Sequence, residues 1–156
     1  MSTELTSKII STSALQTEQL GEQLGRKLRG GEAIELVSDL GGGKTTFVRG
    51  LARGVGSKDK VSSPSFTLSN EYQANKLTLH HFDFYRLREP GILRNELAEI
   101  LEDPQAVTVV EWANIVEDVL PADKLTVHIR ATGEESREIE LSYPENRKYL
   151  ELEVKD

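Results

Sequence analysis

A glycine-rich segment that follows a strand-like run constrains this chain more than any other feature. Residues 32–38, EAIELVS, are predicted to form a strand, and SDLGGGKTTFVRG then leads into a helix that begins at Gly43 or Lys44. A strand, a glycine-rich loop and a helix in this order are typical of a phosphate-binding loop with the pattern G-x-x-x-x-G-K-[ST]. Gly43, Lys44 and Thr45 match that pattern. Ser38 takes the first glycine position, where the chain leaves the strand and a small side chain can fit.

Each residue of this loop has a predicted role at a nucleotide. Lys44 is predicted to reach the β- and γ-phosphates, the Thr45 hydroxyl to bind Mg²⁺, and Thr46 to lie near the α-phosphate one turn into the helix. Three consecutive glycines allow backbone N–H groups to converge on the β-phosphate without a Cβ in the way: Gly41, Gly42 and Gly43. The alternative is a glycine-rich connection that carries Lys-Thr by chance, and the strand and helix on either side disfavour it.

Two predicted strands end in a carboxylate. LTLHHFDFYR places Asp83 at the end of an alternating run, and VTVVEW places Glu111 after a short apolar run. A phosphate-loop enzyme needs acidic side chains for Mg²⁺ and for the attacking group, and parallel strands bring their carboxyl ends to one edge of a sheet. Asp83 and Glu111 are therefore predicted to lie near Thr45. In the alternative, Asp83 caps the next element and Glu111 pairs with Arg86 or Arg88.

Three further groups of residues have more than one interpretation. Ser65, in VSSPSF, is predicted to offer a hydroxyl to Mg²⁺, as loops of nucleotide switches do, or to belong to a Ser/Pro-rich turn. His80 and His81 face opposite sides of their strand, and a packed or hydrogen-bonded histidine is favoured over a zinc site. The arginines that follow form a solvated face, a lid or a docking patch: Arg86, Arg88 and Arg94.

Alternating strands and helices predict an α/β fold. We expect a three-layer α/β/α sandwich of the P-loop NTPase type, with a mixed, largely parallel central sheet and a C-terminal hairpin. The first helix follows Ser13 and Gln16, which have capping-box spacing, and ends at Gly30-Gly31. Its glycines at 21 and 25 lie one turn apart, where another element can approach closely. One domain is expected over residues 1–156, with the tail after about residue 144 forming an edge strand or an extension.

Composition limits the classes of function. The chain has 156 residues, no cysteine and a formal net charge of −7. This charge disfavours nonspecific nucleic-acid binding, and it opposes ATP unless Lys44, a helix N-terminus and Mg²⁺ make the site locally positive. No apolar run has the length of a membrane span, and the first residues lack the apolar core of a signal peptide, so we expect a cytoplasmic protein.

Five motifs occur in an order that resembles one family. They are SDLGGGKTTFVRGLARGVG, VSSPSFTLSNEY, HFDFYRL, VEW, and LP before the last hairpin. Over roughly residues 10 to 140 the chain is similar to the tRNA threonylcarbamoyladenosine biosynthesis ATPases, the TsaE (YjeE) family. That family usually has Gly at Ser38, Gly-Ala-Gly at Gly41 to Gly43, and Thr at Ser65.

The resemblance implies a function and a set of site residues. The implied function is ATP binding and slow hydrolysis in support of the N6-threonylcarbamoylation of adenosine 37 in tRNA. The implied partner is a threonylcarbamoyl-transferase complex of two related proteins, so that tRNA is reached only through that complex. The implied Mg²⁺ ligands are Thr45 and Glu111, with Asp83 in the same acidic cluster and Lys44 as a further catalytic group. Trp112 is expected at the site edge, and Thr12 and Ala14 beside the adenine.

No arginine finger is evident in the chain itself. Because such a finger contributes about 10³–10⁵ in rate, we expect weak ATPase activity alone and stimulation by the partners. A small GTPase is disfavoured because Asn75-Lys76 is not followed by the aspartate that reads guanine. A small-molecule kinase and a non-hydrolysing nucleotide switch remain as alternatives.

Overall fold

A seven-stranded mixed sheet organises the chain. The computed structural model describes residues 4–39, 43–64, 68–85, 87–89 and 91–153. The strands, in chain order, are β1 (Glu4–Ser11), β2 (Ala33–Ser38), β3 (Ser69–Gln73), β4 (Thr78–Asp83), β5 (Ala106–Glu111), β6 (Leu125–Ala131) and β7 (Arg137–Pro144). The helices are α1 (Ala14–Lys27), α2 (Lys44–Val55) and α3 (Gly91–Leu101), with short 3₁₀ helices at Ala113–Val116 and Glu145–Leu150.

The four central strands of the sheet are parallel. The order across the sheet is β1-β7-β6-β2-β5-β4-β3, and the pairs β6–β2, β2–β5 and β5–β4 are parallel. The remaining pairs, β1–β7, β7–β6 and β4–β3, are antiparallel. This arrangement confirms the predicted α/β class, the largely parallel centre and the C-terminal hairpin of β6 and β7. It also brings the carboxyl ends of β2, β4 and β5 to one edge.

The two faces of the sheet are covered by different helices. On β5, Val107 and Val109 pack in the larger core with residues of α1 and α2, such as Leu24 and Leu51. Val110 points the other way, into a smaller core with Leu97 of α3 and with the 3₁₀ helix at Ala113–Val116. Because side chains alternate along a strand, β5 separates two apolar layers, which is the predicted three-layer sandwich.

Helices α1 and α2 pack backbone to backbone through glycines. A Cβ built at Gly21 would lie 2.2 Å from the Phe47 carbonyl oxygen, and one at Gly50 would lie 1.9 Å from that of Glu18. Gly25 and Gly54 face each other in the same way. The close approach predicted from the spacing of Gly21 and Gly25 is therefore confirmed, and the element that approaches is the helix of the phosphate loop.

The structure differs from the sequence-based prediction at both ends of the described chain. No strand was predicted over Glu4–Ser11, yet this segment pairs with β7 as the edge strand β1. Its alternation is weak because only Ile9 and Ser11 are buried. The edge strand considered after residue 144 is wrong, since Glu145–Leu150 forms a 3₁₀ helix. Among the described residues, no helix has the length and apolarity to cross a membrane.

Candidate nucleotide site

Lys44 and Glu111 form an ion pair at the carboxyl edge of the sheet. Lys44 opens α2, Glu111 ends β5, and 2.9 Å separates Lys44 Nζ from Glu111 Oε1. Both side chains are largely buried, with exposed fractions of 12% and 4%. His81 Nε2 of β4 contacts the second oxygen of the same carboxylate, Oε2. Glu111 therefore pairs with Lys44 and His81. Of the two arginines considered as alternative partners, Arg88 forms no ion pair with Glu111 among the described residues, and Arg86 lies outside the described part of the chain.

Asp83 lies beside Glu111 on the neighbouring strand. The two residues are register partners in the parallel β4–β5 pair, and both are buried. One oxygen of Asp83, Oδ1, accepts a hydrogen bond from the Tyr85 backbone N–H at 2.9 Å. This bond caps the turn after the strand and fixes the direction of the carboxylate. The predicted proximity of the two acids is confirmed, and Asp83 caps the next turn as well.

The surroundings of Glu111 keep its side chain ionised at neutral pH. Burial by itself would raise its pKa, but the hydrogen bonds and charges of His81 and Lys44 outweigh burial and hold the pKa below its ordinary value. An ionised carboxylate at this position can accept a proton or bind a divalent cation. Its present partners occupy both oxygens, so a cation would have to replace at least one of these contacts.

Trp112 marks the mouth of the site and has an unusual backbone conformation. Its φ of 55° and ψ of 54° lie in the left-handed region, which bulky residues rarely adopt and which is found most often at functional sites. Its ring lies 5.7 Å from Lys44 Nζ and 4.8 Å from the Tyr85 ring, and 39% of the residue is exposed. The indole is therefore placed to sense any change at Lys44.

Two clefts open near the start of α2. The first has a volume of about 280 Å³ and is lined by residues of β2 and β6 and of the segment that follows β5, with Ser38, Lys44 and Trp112 among them. Lys44, which pairs with Glu111, lines this cleft. The second has a volume of about 200 Å³ and is lined by Ala14, Thr17, Gly43, Thr46, Glu134, Glu135 and Arg137. Lys44 lines the first cleft and the adjacent Gly43 lines the second, so the start of α2 lies between them.

The second cleft contains one of the two residues that were predicted to lie beside the adenine, Ala14. Ala14 and Thr46 both line it, as expected if the nucleoside lies between α1 and α2. Thr12 does not line it, and its backbone N–H instead donates to Gln16 Oε1 at 2.7 Å. Gly43 has a φ of 98°, which suits glycine, and it caps the N-terminus of α2. A contact of Thr12 with the adenine remains a prediction.

Some predicted site residues lie outside the described part of the chain. These are Gly41, Gly42 and Ser65, together with Arg86 of the arginine group. The described end of the Ser65 loop is close to the acids, because the carbonyl of Leu68 accepts a hydrogen bond from Asp83 N–H at 2.9 Å. Arg94 pairs with Asp118 on the surface. Thr45 follows Lys44 in the first turn of α2, which is the position that the phosphate-loop pattern gives to the hydroxyl ligand of Mg²⁺.

One cation beside Gly43, Arg137, was not predicted from the sequence. Arg137 begins β7, and its Nε lies 3.2 Å from the position of a Cβ on Gly43. The spacing in the sequence could have indicated this position. Arg137 lies two and four residues before Ile139 and Leu141, which are buried, so all three side chains are on one face of the strand. A charged residue on the inward face of a strand needs a polar partner or a ligand.

Comparison with known proteins agrees with this arrangement. The family model described as "Threonylcarbamoyl adenosine biosynthesis protein TsaE" matches residues 11–139. A protein of Bacillus subtilis named "tRNA threonylcarbamoyladenosine biosynthesis protein TsaE" is 39% identical over 75% of this chain and 73% of its own length. A Treponema pallidum protein of the same name is 36% identical over 85% and 97%. The crystal structure of Bacillus subtilis YdiB superposes with a TM-score of 0.71 at 31% identity, covering 94% of this chain and 90% of that one. The chain belongs to the TsaE family.

Proposed function

We propose that this chain binds ATP with Mg²⁺ and hydrolyses it slowly in support of tRNA threonylcarbamoyladenosine biosynthesis. One observation carries the proposal. The lysine of the phosphate-loop pattern and the carboxylate that ends β5 meet at 2.9 Å, on a sheet edge where a second acid, Asp83, is the register partner of the first. A phosphate-binding cation and a pair of metal-binding acids are the groups that phosphoryl transfer requires.

The described residues suit the phosphates and the metal ion in complementary ways. Lys44 is already paired with Glu111, so phosphate oxygens would have to take over the Lys44 ammonium group. That exchange would release one Glu111 oxygen, and Mg²⁺ could replace the lost positive charge there, with Thr45 and Asp83 nearby. Bound Mg²⁺ would neutralise the charge that develops on the β- and γ-phosphate oxygens. Hard oxygen ligands of this kind suit Mg²⁺.

The charges near Lys44 support the proposal of slow turnover. The described residues that line the first cleft include one arginine, Arg130, and its guanidinium is held in an ion pair with Glu138 at 2.9 Å. Stimulation by a partner that supplies the missing charge is therefore expected. The family name places the relatives in threonylcarbamoyladenosine biosynthesis, and the proposed partner is the threonylcarbamoyl-transferase complex of two related proteins. We propose that this occurs in the cytoplasm and that tRNA is reached only through the complex.

Trp112 fluorescence provides the first test. ATP, ADP and GTP would be titrated with and without Mg²⁺ against the unchanged chain, Lys44→Ala and Lys60→Ala. Lys60 is an exposed lysine remote from the site and controls for net charge. We expect an adenine-selective response that Lys44→Ala weakens and Lys60→Ala preserves. Absence of nucleotide binding by fluorescence and by calorimetry would refute the proposal.

Hydrolysis is tested separately from binding. Phosphate release would be measured for the chain alone and with its partner complex, using the unchanged chain and Glu111→Gln. We expect slow release alone, faster release with the complex, and loss of both in Glu111→Gln. A turnover of several per second without partners, equal to that of the complex, would contradict the partner-stimulated mechanism. Full tRNA modification by Glu111→Gln without hydrolysis would favour a nucleotide switch instead.

A further inference from the structure

The side chain of His81 is buried, and Glu111 is its one hydrogen-bonding contact within the described ranges. His81 Nε2 contacts Glu111 Oε2, while Nδ1 has no hydrogen-bond partner there. Only 2% of the side chain is exposed. Burying a ring nitrogen without a partner is unfavourable, so an apolar side chain would suit this position better unless the contact with Glu111 has a function.

The alternation of β4 places His81 between the apolar core and the acids. Leu79, His81 and Asp83 lie on one face of the strand, and all three are buried. Leu79 packs in the larger core, and Asp83 is the register partner of Glu111 on β5. His81 thus reaches Glu111 from a buried strand, whereas Lys44 reaches it from the start of the phosphate-loop helix.

Two donors therefore share one buried carboxylate. Glu111 is ionised, so its oxygens accept hydrogen bonds, and His81 Nε2 is a donor to it as Lys44 Nζ is. Phosphate groups bound at the loop would compete with Glu111 for Lys44. Once Lys44 turns to the phosphates, His81 is the one of these two donors that remains. A buried carboxylate that keeps one donor is far less destabilised than one that loses both.

We propose that His81 is a positioning residue for nucleotide binding, which holds the Glu111 carboxylate by its second oxygen and so allows Lys44 to leave Glu111 for the phosphates. The proposal rests on the nucleotide site proposed above. His81 acts through Glu111 and not through a contact with the nucleotide. Without this donor, Glu111 would depend on Lys44 alone, and the release of the lysine would oppose nucleotide binding more strongly.

The test compares two amide replacements of His81 in the full-length chain. The amide nitrogen of His81→Gln can reach the place of Nε2, whereas that of His81→Asn reaches only the place of Nδ1. ATP would be titrated by calorimetry, with a chelator and again with Mg²⁺, and circular dichroism would confirm that each variant is folded. We expect His81→Asn to weaken ATP binding by about tenfold, as loss of a charge-assisted hydrogen bond does, and His81→Gln to restore most of the affinity.

A double-mutant cycle separates this role from a merely structural one. Glu111→Gln removes the charge that competes for Lys44, so this variant should bind ATP more tightly in the chelator. Adding His81→Asn to Glu111→Gln should then change the affinity by less than about twofold, because the effect of His81 passes through the carboxylate. His80→Asn is the matched control: His80 is the preceding residue of β4 and lies on the opposite face, so the affinity should not change.

Each other result counts against the inference. Equal affinities of His81→Gln and His81→Asn would overturn it while nucleotide binding by Lys44 stands. An equal loss from His81→Asn with and without Glu111→Gln would assign the effect to the packing of β4. If the unchanged chain bound no ATP under either condition, the proposed function would fail, and this inference with it.

Discussion

Replacing Gly50 by alanine tests how tightly α1 and α2 hold the phosphate-loop helix in place. A Cβ at residue 50 would lie 1.9 Å from the Glu18 carbonyl oxygen and 2.9 Å from the backbone N of Glu22. These atoms belong to the backbone of α1, so no side-chain rotation relieves the clash. The helices would have to separate by about 1 Å to restore a tolerable contact of 3.0 Å.

The size of the effect follows from two opposed contributions. Alanine is a better helix former than glycine by about 1 kcal/mol, which favours the variant. Overpacking of a close-packed interior costs about 1–3 kcal/mol, and more where backbone must move. Because the clash is between backbones along a whole helix interface, we expect a net loss of about 2 kcal/mol or more in the free energy of unfolding. For a chain of this size the melting temperature should fall by about 4–8 °C.

Urea unfolding monitored by circular dichroism measures this change. Gln19→Ala, on the exposed face of α1, is the matched control and should stay within about 0.5 kcal/mol of the unchanged chain. Lys44 begins the helix that moves, and a displacement of about 1 Å can cost about a hundredfold in a catalytic site, so nucleotide affinity should fall as well. If Gly50→Ala were as stable as the unchanged chain, the close approach of the helices would be refuted.

Three further changes have expected outcomes. His81→Leu removes the hydrogen-bond donor to a buried oxygen of Glu111, and it should lower the free energy of unfolding in urea by about 1–3 kcal/mol. His81→Gln should lower it less. Equal stability of His81→Leu and the unchanged chain would show that His81 does not support the carboxylate. Tyr149→Phe removes the 2.7 Å hydrogen bond from the phenol to the buried carboxylate of Glu32. Because Glu32 keeps two backbone N–H donors, the free energy of unfolding in urea should fall by only about 1 kcal/mol. Burial lowers the pKa of His80 and outweighs the nearby carboxylates, so the unfolded chain binds the proton more readily. Stability should therefore decline as the pH falls below about 6.5, and His80→Gln should flatten this decline in unfolding curves taken between about pH 7 and 5.5; an unchanged slope would contradict the assignment.

The parts of the fold that the sequence predicted correctly depend on interactions between near neighbours in the chain or on general rules of strand packing. The helix after Ser13 was identified from a cap whose hydroxyl accepts the Gln16 N–H at 3.1 Å, a contact within one turn. The carboxylates of Asp83 and Glu111 were placed together because parallel strands align their ends. The edge strand β1 was missed because an edge needs little apolar alternation, and its pairing with β7 depends on a partner far along the chain.

The sequence by itself determined the strand and the helix on either side of the phosphate-loop pattern and the acids at the strand ends, because these features depend on neighbours within a few residues. Only the tertiary structure decided that Lys44 pairs with Glu111, that His81 supports the same carboxylate, and that Arg137 lies over Gly43. These contacts join segments that are distant in sequence. They depend on strand order and register, which arise when the whole sheet assembles around its two cores.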